Sequence, residues 1–268
     1  MATTQQEKGE LFRALHEGEP FVIPNPWDVG SAKVLAGLGF EALATTSSGF
    51  AFTRGRHDGG VTPDEVVEHT RALTRAVDIP VSVDLENGYG PEADHAAAAI
   101  ERAADAGAVG GSIEDYDPDG KRIYDLDHAV ERVSAAVEAA RGLEFPFVLT
   151  ARAENHIRGN PDLDDTVSRL QAFERAGADV LYAPGLRTVD EIRAVCEATT
   201  KPVNVLARPK LSLAEIFDAG AQRVSVGGSL AFLAVAAMAE AAEAIRDRGD
   251  FKPIRMPPKI GDWLAALD

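Results

Sequence analysis

A (β/α)8 barrel, the TIM-type α/β fold, is expected from this chain on three observations. Eight short β-rich runs alternate with helix-length segments, the pattern of a parallel sheet. A repeated helix exit, Ala-Gly or Leu-Gly followed by a β-rich run, recurs at Gly39, Gly107, Gly177 and Gly220. Glycine suits that place because helices commonly stop at a residue with positive φ. No G-x-G-x-x-G follows the first strand, which leaves a doubly wound open sheet as the runner-up.

The expected strands are 21–24, 42–45, 81–84, 110–114, 147–151, 180–183, 203–206 and 223–226. Three of them are entered through a proline, Pro80, Pro146 and Pro202, which cannot continue a helix and is tolerated at a strand's start. Helices are expected over 63–77, 91–106, 126–141, 163–176 and 189–198, with a long Ala-rich one over 229–248. A Pro-rich arm, 253–258, and a short apolar piece, 260–267, follow. The tail, with Trp263 and Leu264, closes no barrel unit and is expected to pack on something, another subunit being one candidate. No linker divides the chain, so one domain over 1–268 is expected, with 229–268 as a C-terminal helical extension for oligomerisation.

Composition narrows the function. The chain has 268 residues, a formal net charge of -16 and a pI near 4.8, with no basic stripe to neutralise phosphates, so no nucleic-acid partner is expected. Its 45% hydrophobic content supports a sizeable core. The amino terminus is polar and shows no signal peptide, and the apolar run 230–239 is too short for a bilayer. Cys196 is the single cysteine, which excludes an internal disulfide and fits a reducing cytoplasm. A cytoplasmic protein without a membrane partner is expected.

In a barrel of this type the strands' carboxyl ends converge on the face that carries the site. Those ends hold Asn25-Pro26-Trp27-Asp28, Thr45-Thr46-Ser47-Ser48-Gly49, Asp84 with Glu86, Glu114-Asp115, Arg152-Ala153-Glu154-Asn155, Asn204 and Gly227-Gly228-Ser229. Ser82, Asp84 and Glu86 share one face of their strand by its period of two. Several acids against one arginine suggest a hard divalent cation held by oxygen ligands, often through water; magnesium suits this, with manganese as the alternative. The metal candidates are Asp84, Glu86 and Glu114. Arg152 is suited to a two-pronged grip on a substrate carboxylate.

These motifs, in this order and at these strand ends, resemble the isocitrate lyase/phosphoenolpyruvate mutase superfamily, in its short single-barrel branch. The resemblance runs from about residue 12 to 237 and includes Asp58, in the loop beyond 46–49. It implies a magnesium ion near Asp84, Glu86 and Glu114, bound largely through water and chelated by an α-keto or α-hydroxy carboxylate. It implies chemistry through a pyruvate-like enolate and a substrate carboxylate held by Ser47 and neighbouring amides. Arg152 would stabilise negative charge and Asp58 would lie close to the metal shell. With Lys121, Arg152 and Asp58 make up the catalytic candidates; the substrate-binding candidates are Trp27, Asp28, Ser47, Ser48, Gly49 and Asn204. The last helix would be exchanged between subunits, giving dimers paired into a tetramer.

Two departures from the family bear on the reaction. Many relatives carry Asp where this chain has Glu86, and Thr or His where it has Asn87. The family's carbon–carbon lyases also carry a cysteine in the loop after strand four, where this chain has Asp117-Pro118-Asp119-Gly120-Lys121. The expected activity is a magnesium-dependent carbon–carbon lyase on a small α-keto or α-hydroxy di- or tricarboxylate, of oxaloacetate decarboxylase or methylisocitrate lyase type. The alternatives are a carbon–phosphorus enzyme (phosphonopyruvate hydrolase or phosphoenolpyruvate mutase) and a non-catalytic metabolite-binding barrel. Plainer roles stand beside these: Arg152 in a salt bridge to Glu154 or Asp84, Lys121 as a loop lysine instead of a lid residue, and Gly227-Gly228-Ser229 as a close helix contact instead of a phosphate cradle. His156 lies nearest the site, and His57, His69, His95 and His128 are expected at the surface.

Overall fold

The helices stop where glycine permits it: Gly39, Gly107, Gly177 and Gly220 have φ of 91, 95, 102 and 103°. In the computed structural model, which describes residues 3–267, the chain opens with α1 (Gln5–Glu17), β1 (Phe21–Ile23), α2 (Val29–Gly37), β2 (Leu43–Ala44), α3 (Ser47–Thr53) and α4 (Pro63–Ala76). Next come β3 (Val81–Asp84), α5 (Ala93–Asp105), β4 (Gly110–Glu114), β5 (Tyr116–Asp117), β6 (Arg122–Ile123), α6 (Leu126–Arg141) and β7 (Val148–Arg152). The last part runs α7 (Leu163–Arg175), β8 (Val180–Tyr182), α8 (Val189–Ala198), β9 (Val203–Leu206), α9 (Leu213–Asp218), β10 (Arg223–Ser225), α10 (Ser229–Arg248) and α11 (Ile260–Leu264).

Eight parallel strands pair in the order β1-β10-β9-β8-β7-β4-β3-β2, and all eight expected runs are among them. The ends meet where Ala44 N–H donates to Pro24 C=O at 3.1 Å, so the sheet closes into the TIM-like barrel. Besides α3, which occupies a stretch expected as a strand end and loop, two further features fall outside the expected pattern. The stretch after β4 forms an antiparallel hairpin, β5 with β6, instead of an open loop. α1 precedes the first strand and stops the barrel's amino-terminal end: Phe12 is fully buried there with Phe21, Val148 and Val180. Gly110 makes room for it, since a Cβ at that position would lie 2.6 Å from the Phe12 ring.

The tail folds back on its own chain, against α2, where Lys33 Nζ donates to Leu267 C=O. α10 is largely uncovered: of its twenty residues only Ala231 and Ala244 are buried, while Leu233 and Met238 are 66% and 63% exposed. Among the described residues no helix is long and apolar enough to cross a membrane.

Candidate active site

β7 ends in Arg152, and the pleat turns its side chain into the barrel mouth. Nη1 lies 2.8 Å from Asp84 Oδ1, and Nη2 lies 3.0 Å from Glu114 Oε2 and 2.7 Å from Glu154 Oε1. The ring of Tyr182 faces the guanidinium, 5.4 Å away. Burial opposes the charge of Arg152, but Glu154, Glu114 and Asp84 together hold it firmly protonated. A second arginine, Arg158, bridges Glu114 and Glu154 at 3.3 and 3.2 Å and stacks on Tyr116 of the hairpin, 3.7 Å from its ring centre. The plain salt bridges considered for Arg152, to Asp84 and to Glu154, are thus both present, with Glu114 as a third partner.

Glu86, at φ 50°, leaves β3's line in a left-handed turn. Burial first, then the charges of Asp84 and Asp58, push its carboxyl up to about 8. Its Oε1 is buried with no hydrogen-bond partner. Burial and the neighbouring Glu154 likewise push Glu114 well above the usual carboxylate range. Among the described residues no three acidic, histidine or cysteine side chains form a direct metal-ligand set. Asp84 and Glu114 both face Arg152, while the unpartnered Glu86 oxygen lies in a region of excess negative charge. That donor set fits a hydrated divalent cation held through water.

A cavity of about 200 Å³ opens here, and Asp84, Arg152, Ser47, Ser48, Asp58 and Asn204 line it. Ser47 N–H donates to Asp84 Oδ2 at 3.2 Å, and Ser48 Oγ lies 3.1 Å from Thr46 Oγ1. Asn204 sits deeper than expected, fully enclosed, its Nδ2 donating to Ser225 Oγ at 3.0 Å. Glu86 and Glu114 stand behind the lining. Trp27, Asp28 and Gly49 lie outside it: Asp28 caps α2 by accepting from Ser31 N–H at 2.7 Å, and Gly49 N–H donates to Thr46 Oγ1. Lys121 is exposed at the hairpin turn, φ 49°, and does not line the cavity.

The two departures have structural consequences. Asn87 Nδ2 donates to the Tyr124 hydroxyl at 3.2 Å, tying the strand-three turn to the segment after the hairpin. Asp115 continues that tie, accepting from Glu154 N–H at 2.8 Å and Arg169 at 3.2 Å. Cys196 lies in α8 against Gly220 and does not line the cavity, and burial pushes its thiol up to about 11. Asn25 Oδ1 accepts from Val226 and Gly227 N–H, both at 2.8 Å, so those two donors of the glycine turn are already satisfied. His156 is buried against Thr166, and His69 is half-buried and stacked on Phe50 at 3.9 Å instead of at the surface. Sequence reading missed Arg158, Tyr182 and Arg223: Tyr182 ends β8 but belongs to no motif singled out, Arg223 opens β10, and Arg158 lies in the loop after β7.

A model of the phosphoenolpyruvate phosphomutase family matches residues 12–246. A solved Burkholderia cenocepacia J2315 protein, known no more closely than as a candidate lyase or mutase, is 50% identical; the match covers 98% of each chain with a TM-score of 0.93. The oxaloacetate decarboxylase of Rhodopseudomonas palustris BisB5 is 28% identical over 91% of this chain and 86% of its own. Phosphonopyruvate hydrolase, solved with oxalate and magnesium, shares the fold: TM-score 0.84, 24% identity, 97% and 94% of the two chains covered.

Proposed function

Since the chain belongs to the phosphoenolpyruvate mutase/isocitrate lyase superfamily, we propose that it is a magnesium-dependent carbon–carbon lyase acting on a small α-keto or α-hydroxy di- or tricarboxylate. The observation that carries this reading is the buried Arg152, fixed by Asp84, Glu114 and Glu154 beside a Glu86 oxygen that has no partner. Ser47 and Ser48, at the start of α3, receive the substrate carboxylate. Arg152 is pre-positioned for negative charge that builds on the substrate oxygen as the bond breaks, and its three carboxylates keep it from moving. Asp84, Glu86 and Glu114 would hold magnesium through water, and the ion would supply Lewis-acid stabilisation of that charge. Asp58 lines the same cavity and adds negative charge near Glu86.

Decarboxylation of an oxaloacetate-like diacid fits this chain better than retro-aldol cleavage of methylisocitrate. Carbon dioxide leaves without a proton, and the pyruvate enolate takes one from solvent, so no lid cysteine is required. Lys121, on the hairpin, is the nearest lid candidate. The test is turnover of oxaloacetate, 2-methylisocitrate and dimethylmalate with magnesium and with EDTA; no metal-dependent turnover of any of them would sink the reading. Carbon–phosphorus chemistry is the second reading, favoured by the family model itself. Product formation from phosphonopyruvate, followed by phosphorus NMR, would decide for it. The uncovered face of α10 suits exchange with a second subunit, giving a dimer or tetramer.

A further inference from the structure

The interior of a (β/α)8 barrel is ordinarily filled by layers of branched apolar side chains. Here Ser82, Ser112, Thr150 and Asn204 stand in the middle of the barrel, and the cavity extends past them to Arg223. Arg223, 5% exposed, donates from Nε to Asn204 Oδ1 at 2.8 Å and from Nη2 to Thr150 Oγ1 at 2.9 Å. Nη1 lies 3.0 Å from His16 Nε2. The Phe12 carbonyl, 2.7 Å from His16 Nδ1, can only accept, so Nδ1 carries the proton and Nε2 offers its lone pair to Arg223.

All three partners are neutral. Burial pulls the Arg223 guanidinium down to about 10 and no carboxylate offsets it, yet it stays charged at neutral pH. Two of its five N–H donors are uncommitted. Among the described residues that line the cavity, Arg152 and Arg223 are the cations; three carboxylates meet Arg152 and none meets Arg223. A buried charge without a counter-charge is costly, and an anion in the cavity would relieve it.

The geometry points to Arg223 as the base of a second anion subsite, taking the far carboxylate of a diacid whose keto-acid end lies at Ser47 and Asp84. The assignment rests on the proposed lyase reading. Thr150, which Arg223 touches, lies two residues below Arg152 on β7, about 7 Å along the strand. Ser47, Asp84 and Arg223 line one cavity, so a four- or five-carbon diacid has a second carboxylate to extend toward Arg223, whereas oxalate, with no arm, does not. Towards solvent the hairpin presents Asp117 and Asp119 beside Lys121 and Arg122, and Arg122 already pairs with Asp117 at 3.4 Å, so this is a poorer place for a second carboxylate.

The test compares magnesium-dependent binding of 3,3-difluorooxaloacetate with that of oxalate, by calorimetry on the full chain. Arg223→Met should weaken the diacid about thirtyfold and oxalate less than about twofold. Ser112→Val, which narrows the passage without contacting Arg223, should show the same selectivity and covers the case in which Arg223→Met does not fold. Equal losses for both ligands, or no loss in a folded variant, would overturn the subsite. A wild-type protein that fails to bind magnesium and oxalate counts against the lyase reading alone. Malonate in EDTA then tests Arg223 as a site for free carboxylates: a rise in wild-type Tm that Arg223→Met abolishes upholds the subsite, and no rise overturns it.

Discussion

Arg152 and Glu86 hold most of the site's electrostatics. Arg152→Met would leave Asp84 without its cation and Glu114 and Glu154 with Arg158 alone, a loss of about 3–5 kcal/mol by analogy with broken buried pairs. Arg152→Lys keeps the charge but not the fork; kcat should fall about 10²–10³-fold with the protein still folded, as steady-state rates beside a thermal melt would show. Glu86 sets a pH dependence. Its folded pKa, about 8, lies above the ordinary carboxylate value, so between those two pH values the folded state binds the extra proton and the unfolded state does not. Stability of the metal-free protein should therefore fall as pH rises through that window. Glu86→Gln should flatten the fall, read as Tm in EDTA from pH 5 to 8.5. A wild-type profile no steeper than the variant's would refute the assignment. The acids at the ends of strands three and four, and Arg152 after strand five, were legible because a strand's period and its end are both readable in sequence. Arg158 and Tyr182 were not, since their roles depend on neighbours brought together across the barrel.

Among the elements, the eight strands and the six helices given ranges were read to within about two residues, helped by glycine and proline stop signals, whereas α1, α2, α3 and α9 were given no range. The hairpin of β5 and β6 escaped notice because its two-residue strands are held by the Arg158–Tyr116 stack and Asp117's turn contacts, not by an alternating pattern. Arg158→Ala should loosen the hairpin and raise KM more than it lowers kcat, since the variant removes the support at the hairpin's base and leaves Arg152 in place. Equal and opposite behaviour in steady-state kinetics would argue for a direct part in bond breaking. α1 makes a separate prediction. Phe12→Ala empties the stopper at the barrel's closed end and should cost about 3–5 kcal/mol in denaturant unfolding. Gly110→Ala should destabilise by about 1–3 kcal/mol, because the new methyl collides with the Phe12 ring.

For the whole molecule, the uncovered apolar side of α10 is the feature that a single chain does not explain. Leu233→Asp with Met238→Asp should convert an oligomer to monomers by light scattering; an unchanged mass would place the interface elsewhere. Barrel closure was legible from the count of strand units, but the seam was not. Across it, between β1 and β2, the described residues record one backbone hydrogen bond, Ala44 to Pro24, with Asn25 Nδ2 bonding to Thr45 C=O beside it. Every other neighbouring pair of strands has a continuous ladder. The barrel is therefore a closed ring with one thin join, and Thr45, Thr46 and Ser47 stand directly above that join. Amide hydrogen exchange should open there first, so that the anion-receiving edge of the cavity is also where the cylinder breathes.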